Sequence, residues 1–219
     1  MSSTNRGIKR ISHDLYETPP FVCNRLLEAV PLPPGRWLEP CAGSGNIIRA
    51  VNARDLNVEW SGCEIRPETQ DVLAPLCPGG LHIFDFLALP EDDFGGKFDV
   101  ALTNPPYSLA QEFIEKCMRM SRQTVMLLRL NFLESETRCE FMRRYPPDVF
   151  VLPNRPIFSI NKHGKPGSDS TAYGWFRWWD YESYDRVPPG ERRGTVQVLN
   201  QTPLAERKAW NQRLRELAA

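Results

Sequence analysis

The sequence predicts an α/β domain: a mostly parallel, seven-stranded sheet with helices on both faces and an antiparallel hairpin at one edge. Three observations carry this. Short apolar runs alternate with helical stretches from residue 36 to residue 130, the rhythm of strands joined by crossover helices. The stretch Thr124 to Leu130 is almost continuously apolar, as a strand buried on both faces must be. From Asp148 the rhythm changes to two strands joined by a polar loop.

Taken in order, residues 1–12 are polar and read as a flexible tail. Thr18-Pro19 reads as a helix N-cap followed by proline at the first helical position, and Val22, Leu26, Leu27 and Val30 form that helix's apolar face. Strands are expected at Arg36 to Glu39, Val58 to Ile65, Leu81 to Phe84, Phe98 to Leu102 and Thr124 to Leu130. Helices are expected at Asn46 to Ala53, at Pro67 to Leu76 and after Tyr107, where Ser108 and Gln111 have capping-box spacing. Val149 to Leu152 and Ala172 to Trp179 make the hairpin across the loop Asn161 to Thr171. Thr202-Pro203 opens a last helix with Trp210, Leu214 and Leu217 on one side. The expected organisation is therefore a tail, a catalytic domain over residues 13–185, and an extension over residues 186–219 with a helix and no separate target-recognition domain.

The 219 residues, 41% hydrophobic and 25% charged, suit one globular domain, or one domain and a small appendage. A net charge of zero argues against a protein that coats nucleic acid non-specifically, because such affinity comes from many Lys and Arg contacts to phosphate. A local basic bias remains: Arg138, Arg143, Arg144, Arg155, Lys162 and Lys165 face only Glu140 and Asp148 in one stretch. The six cysteines form no CxxC pair, so reduced, buried thiols are expected and a structural zinc site is not. No apolar run approaches the roughly 20 residues that span a bilayer, and the N-terminus lacks a signal-peptide core. A cytoplasmic protein without a membrane partner is the expectation.

Chemistry concentrates at the strand ends. Glu39-Pro40-Cys41-Ala42-Gly43-Ser44-Gly45 lies between the first strand and its helix, where open α/β sheets bind ligands and where glycines allow close approach. Glu64 follows by roughly 20 residues, the placement of an acid that binds ribose hydroxyls. Asp85 after the third strand suits an adenine amine. An acid at Glu39 disfavours a phosphate ligand and favours a cationic one. After the fourth strand, Asn104-Pro105-Pro106-Tyr107 pairs a side-chain amide with two prolines that fix φ and remove donors. The Asn104 and Pro105 carbonyls can each accept one hydrogen of an adenine amine and concentrate its lone pair on nitrogen, while Tyr107 stacks on the base. Positioning and electrostatics would supply the acceleration, with no metal.

These residues together resemble the DNA N6-adenine methyltransferases, a group that includes bacterial and phage enzymes. The resemblance covers roughly residues 14–180. It implies a Rossmann-like class I methyltransferase that uses S-adenosylmethionine (SAM), releases S-adenosylhomocysteine and needs no metal. It implies that Tyr16 and Thr18, in Tyr16-Glu17-Thr18-Pro19, close over the methionine part of SAM. Glu39, Pro40, Cys41, Ala42, Gly43 and Gly45 form the cofactor turn. Glu64 and Ile65 serve the ribose side, and Asp85 and Phe86 the adenine side. Asn104, which also touches the cofactor, Pro105, Pro106 and Tyr107 are catalytic. Phe158 matches the second aromatic on the target base, although ordinary core is an equal reading of it. Lys162, His163 and Lys165 are DNA contacts or merely a solvated loop.

The substrate implied is adenine in DNA, double- or single-stranded, in a restriction-modification or phage setting. Similar tetrapeptides occur in RNA-adenine and protein-glutamine methyltransferases. A non-catalytic nucleic-acid-binding subunit is the alternative of another class. With only about 40 residues after Trp179, sequence specificity is expected to be short, loop-borne, absent, or supplied by a partner, a second copy included. Tyr173, Trp175, Trp178 and Trp179 read as a strand packed on a helix rather than as a stacking platform.

Overall fold

The computed structural model describes residues 17–158 and 171–217. Its core is one eight-stranded sheet. The strands are β1 (Gly35–Glu39), β2 (Val58–Glu64), β3 (Leu81–Ile83), β4 (Phe98–Thr103), β5 (Ser121–Arg129), β6 (Asp148–Val151), β7 (Tyr173–Trp179) and β8 (Val196–Val198), in the order β3-β2-β1-β4-β5-β7-β6-β8. All neighbours are parallel except those of β7, which runs antiparallel to both β5 and β6. The order reverses between β1 and β4, and in such sheets the crevice outside the strand ends at that reversal is the ligand site.

The helices are α1 (Pro20–Ala29), α2 (Asn46–Asn52), α3 (Gln70–Leu73), α4 (Ala110–Met120), α5 (Cys139–Arg144), α6 (Tyr181–Asp185) and α7 (Leu204–Leu217). Alternation along each strand divides the core between the two faces. On β5, Val125 and Leu127 join α1, α2 and α7 in one cluster, whereas Met126 and Leu128 join α4 in the other. All four are at most 1% exposed, which explains the continuous apolar run.

The eighth strand is a correction to the sequence reading. Val196, Gln197 and Val198 are all exposed, so no burial pattern marks them, and the strand exists through its pairing with β6. Residues 186–217 share the same sheet and core. Trp210 packs into the α1 side and donates its indole N–H to the Ile157 carbonyl at 2.7 Å, and Thr202 N–H reaches the Asn154 side chain at 2.7 Å. Leu217 is 61% exposed and does not extend the face of Trp210 and Leu214.

Three helix details also differ. Pro19, not Thr18, is the N-cap of α1, because a residue before proline is pushed to extended backbone and Pro20 follows it. The stretch 67–76 is a 3-10 turn, one turn of α-helix and a second 3-10 turn, interrupted where Pro75 cannot donate. The capping box is not formed. Tyr107–Leu109 takes a 3-10 turn on leaving the prolines, and Gln111 bonds Glu115 at 2.8 Å instead. The thiols are all free, but Cys41 is half-buried and Cys139 exposed rather than buried.

Candidate active site

The glycine turn is bent by two left-handed residues, Gly43 (φ 58°) and Gly45 (φ 82°). The left-handed φ of Gly45 requires glycine, and a Cβ there would in addition push a Leu76 methyl 2.6 Å away out of its place. Ala42 N–H donates to the Cys63 carbonyl at 2.9 Å, which ties the turn to β2. Glu64, at the end of β2, completes the tie. One carboxylate oxygen accepts Gly43 N–H at 2.7 Å, and the other accepts both the backbone N–H and the guanidinium of Arg66, at 3.1 and 2.9 Å.

Beneath the turn lies Glu39, fully buried, with neither carboxylate oxygen in a hydrogen bond. The Thr103 hydroxyl and the Cys41 backbone N–H approach it without completing a hydrogen bond among the described residues, and they offset part of the cost of burial. Burial, reinforced by the charge of Glu64, pushes the Glu39 carboxyl well above the usual carboxylate range.

Above the turn, Glu17 accepts the Ser44 hydroxyl at 2.6 Å and the Asn46 amide on one oxygen. Glu17, Thr18, Cys41, Ala42, Gly43, Ser44, Asn46, Ile47 and Asn104 line a small cavity, and no Lys or Arg is among them. Pro40 is buried in the turn behind it. Glu17, Ser44 and Asn46 are additions to the expected set. Glu17 lies inside the Tyr16–Pro19 element, but its reach to α2 depends on how α1 packs, which the local pattern does not carry.

At the end of β3, Asp85 is exposed and accepts Leu87 N–H at 2.9 Å. Phe86 points the other way. It is 2% exposed and packs against Phe94 and Phe113, with ring centroids 5.9 and 5.2 Å apart. The buried Lys116 ammonium binds the Phe86 and Leu89 carbonyls and so fixes this loop. The exposed apolar groups at these strand ends are Ile65 (48%) and Phe84 (55%). The exposed aromatic at the end of β3 is thus Phe84, two positions before Phe86, which is buried.

The tetrapeptide sits at the reversal between β1 and β4. The Asn104 amide donates to the Thr18 hydroxyl at 3.1 Å, and its carbonyl accepts the Tyr107 hydroxyl at 3.0 Å. Leu109 N–H takes the Pro106 carbonyl at 2.9 Å, whereas the Pro105 carbonyl accepts no backbone N–H among the described residues. The Arg129 guanidinium lies 4.9 Å over the Tyr107 ring and donates to the Tyr173 hydroxyl at 3.3 Å.

Phe158 is 6% exposed and does not face Tyr107 across an open slot. Tyr173 touches both rings, with centroids 5.9 Å from Tyr107 and 5.2 Å from Phe158. Arg129 left no sequence signal, and Tyr173 showed only as one aromatic of a packed strand, with nothing to place it beside Tyr107. Trp175 and Trp178 are fully buried, as expected of a packed strand, while Trp179 is 39% exposed. Tyr16, Lys162, His163 and Lys165 lie outside the described residues. Among the described residues no helix is long and apolar enough to cross a membrane.

No family model and no curated protein sequence matches this chain. Solved structures do share its fold. It is similar to a dimethyladenosine transferase from Plasmodium falciparum, with a TM-score of 0.51 and 15% identity over 92% of this chain and 70% of that one. It is similar to the 23S rRNA methyltransferase ErmE, with a TM-score of 0.50 and 13% identity over 79% and 75% of the two chains. It is also similar to a predicted O-methyltransferase from Agrobacterium tumefaciens, with a TM-score of 0.53 and 16% identity over 82% and 84%. The fold is the Rossmann-like α/β fold of SAM-dependent methyltransferases.

Proposed function

We propose that this chain transfers a methyl group from SAM to the N6 amine of adenine in DNA. The observation that carries the proposal is Asn104. Its amide is clamped between Thr18 and Tyr107 at the sheet's reversal point and lines the same cavity as the glycine turn.

The residues present fit SAM. A cavity walled by Glu17 and Gly43, with no Lys or Arg on its lining, suits a cationic ligand without phosphate. Thr18, Glu17 and Asn46 would hold the methionine end, Glu64 the ribose, and Asp85 the adenine amine between Ile65 and Phe84. Tyr16 would close the pocket. SAM supplies a methyl group already activated on a sulfonium, so the protein's task is to aim and desolvate the acceptor.

The Asn104 carbonyl has two lone pairs. One holds the Tyr107 hydroxyl and the other accepts an amine hydrogen of the target base. The Pro105 carbonyl accepts the second hydrogen. Both interactions strengthen as charge develops on nitrogen, which is where catalysis by positioned dipoles acts. An amide cannot take the surplus proton, which leaves to water. Tyr107 covers one face of the base. A base that enters toward Phe158 displaces the Tyr107–Tyr173 contact. An adenine in a duplex must first be flipped out of the stack, and Lys162, His163 and Lys165 would hold the backbone.

The test is transfer from labelled SAM to separate DNA, RNA and protein pools. Label in DNA as N6-methyladenine is expected. Label in RNA alone would move the substrate to RNA adenine, a reading consistent with the rRNA and dimethyladenosine enzymes of similar fold. Label in protein alone would move it to glutamine. SAM binding without transfer to any polymer would leave a binding subunit.

A further inference from the structure

We propose that a second cavity, on the outer side of Tyr107, reads an unpaired guanine next to the target adenine; this deepens the nucleic-acid methyltransferase reading above and rests on it. The cavity measures about 410 Å³, within the range of small-molecule sites, and Tyr107 is a wall of it. The same ring therefore borders both Asn104 and this second space.

One wall is the first two turns of α4. Gln111 and Glu115, one turn apart, share a hydrogen bond of 2.8 Å to one Glu115 oxygen, and among the described residues the other accepts none. Glu112 stands beside them. The opposite wall is Arg138, whose guanidinium lies 4.3 Å over the Phe132 ring and donates its Nε to the Phe132 carbonyl at 3.1 Å. That contact fixes the plane of the fork, and among the described residues its terminal nitrogens make no hydrogen bond. Among the described residues neither Glu112, Glu115 nor Arg138 forms an ion pair. Opposite charges thus border one cavity without neutralising each other, an arrangement matched to a ligand with donors on one edge and acceptors on another.

Guanine has that pattern. Its N1–H and N2–H2 are adjacent donors that a carboxylate accepts, and its O6 and N7 are adjacent acceptors that an arginine fork binds, the commonest specific base contact. Adenine and cytosine each offer a single amine, and thymine and uracil lack one. Engaging the N1 edge excludes Watson–Crick pairing. The neighbour is read in a single strand, or in a strand locally opened around the target, as sequence-specific readers of unpaired bases do.

The experiment has two arms on the full chain. The first titrates GMP, AMP, CMP and UMP by calorimetry with S-adenosylhomocysteine present. The second measures methyl transfer to single-stranded oligonucleotides carrying one adenine with each base beside it. GMP should bind roughly tenfold tighter than the other nucleotides, and a guanine neighbour should raise kcat/KM by a similar factor. Both preferences should collapse in Glu115→Gln and Arg138→Gln, each checked for folding by circular dichroism. Glu115→Gln keeps the helix face and serves where Arg138→Gln disturbs Phe132. Transfer to adenine that ignores the neighbour, or variants that keep the guanine preference, would overturn the subsite alone. GMP selectivity without transfer to any polymer would overturn the methyl-transfer reading and keep the subsite. Neither selectivity nor transfer overturns both.

Discussion

The two spaces on either side of Tyr107 are built on opposite plans. Around the glycine turn the acids other than Glu39 are already spent on the protein's own backbone and side chains: Glu64 on Gly43 and Arg66, Glu17 on Ser44 and Asn46, Asp85 on Leu87. Across Tyr107, Glu112, Glu115 and Arg138 face their cavity without ion-pair partners among the described residues. The first region fixes a shape and leaves spare lone pairs to a ligand. The second keeps its charges for one. A preorganised turn gains affinity because little is left to order on binding, whereas unpaired charges gain selectivity because the wrong ligand leaves them unsatisfied.

The largest effect that tests this contrast belongs to Asn104, the residue on the turn side to which the proposed mechanism assigns the chemistry. Asn104→Ala removes an acceptor that matters most as charge develops on the amine, so kcat should fall by about 100- to 1000-fold. Affinity for SAM, measured by calorimetry, should change by less than about tenfold, because the turn, Glu64 and Glu17 remain. A variant with near-normal kcat would remove Asn104 from the mechanism. Next in size is Glu64→Ala, which leaves Gly43 N–H and Arg66 without their acceptor. Hydrogen bonds to a charged group are each worth about 1.5–3 kcal/mol, so SAM should bind roughly 10- to 100-fold more weakly with kcat at saturation little changed. A larger loss in kcat than in affinity would mean that the acid serves the reaction and not the shape of the turn.

Glu39 is the exception within the turn region, an acid whose oxygens complete no hydrogen bond among the described residues, and it yields a prediction of stability rather than rate. Burial raises its carboxyl in the folded chain, while the unfolded chain ionises from the ordinary value of 4.5. Between those two values the folded state holds the extra proton. Stability therefore falls as pH rises from about 4.5 through the raised folded value. Glu39→Gln has no proton to lose, so its stability advantage over the native chain should grow with pH in urea melts run from pH 5 to pH 8. Parallel pH curves for the two proteins would show that Glu39 is charged in the fold, and a partner for it would have to be found.

The same contrast explains what the sequence disclosed. The turn region is continuous in sequence: strand end, glycines, acid, and then the next strand end. Each residue type is forced locally, by positive φ at Gly43 and Gly45 or by proline geometry at 105 and 106, and so it shows. Continuous burial made β5 equally plain. Which of Phe84 and Phe86 is exposed beyond β3 had no signal in the sequence, because the packing of Phe86 on Phe113 decides which ring goes inward. The outer cavity joins α4 to residues after β5, and Tyr173 comes from β7, across the sheet from the tetrapeptide. None of these juxtapositions has a spacing rule. The strand β8 is invisible for a related reason, since three exposed residues become a strand only where β6 offers an edge.

The smallest predicted effect is the most pointed, because it lies on the shared wall. Tyr107→Phe keeps the ring, its Arg129 contact and its place beside both cavities, and removes only the hydroxyl that the Asn104 carbonyl accepts. A neutral hydrogen bond of this kind contributes about 0.5–1.5 kcal/mol, so kcat should fall by roughly 2- to 10-fold with little change in KM, as read from steady-state transfer. No change would mean that Thr18 alone orients Asn104 and that Tyr107 serves only as a wall. A hundredfold loss would mean that the hydroxyl polarises the amide during the reaction. Tyr107 would then be part of the chemistry, and the two cavities would be coupled through a single phenol.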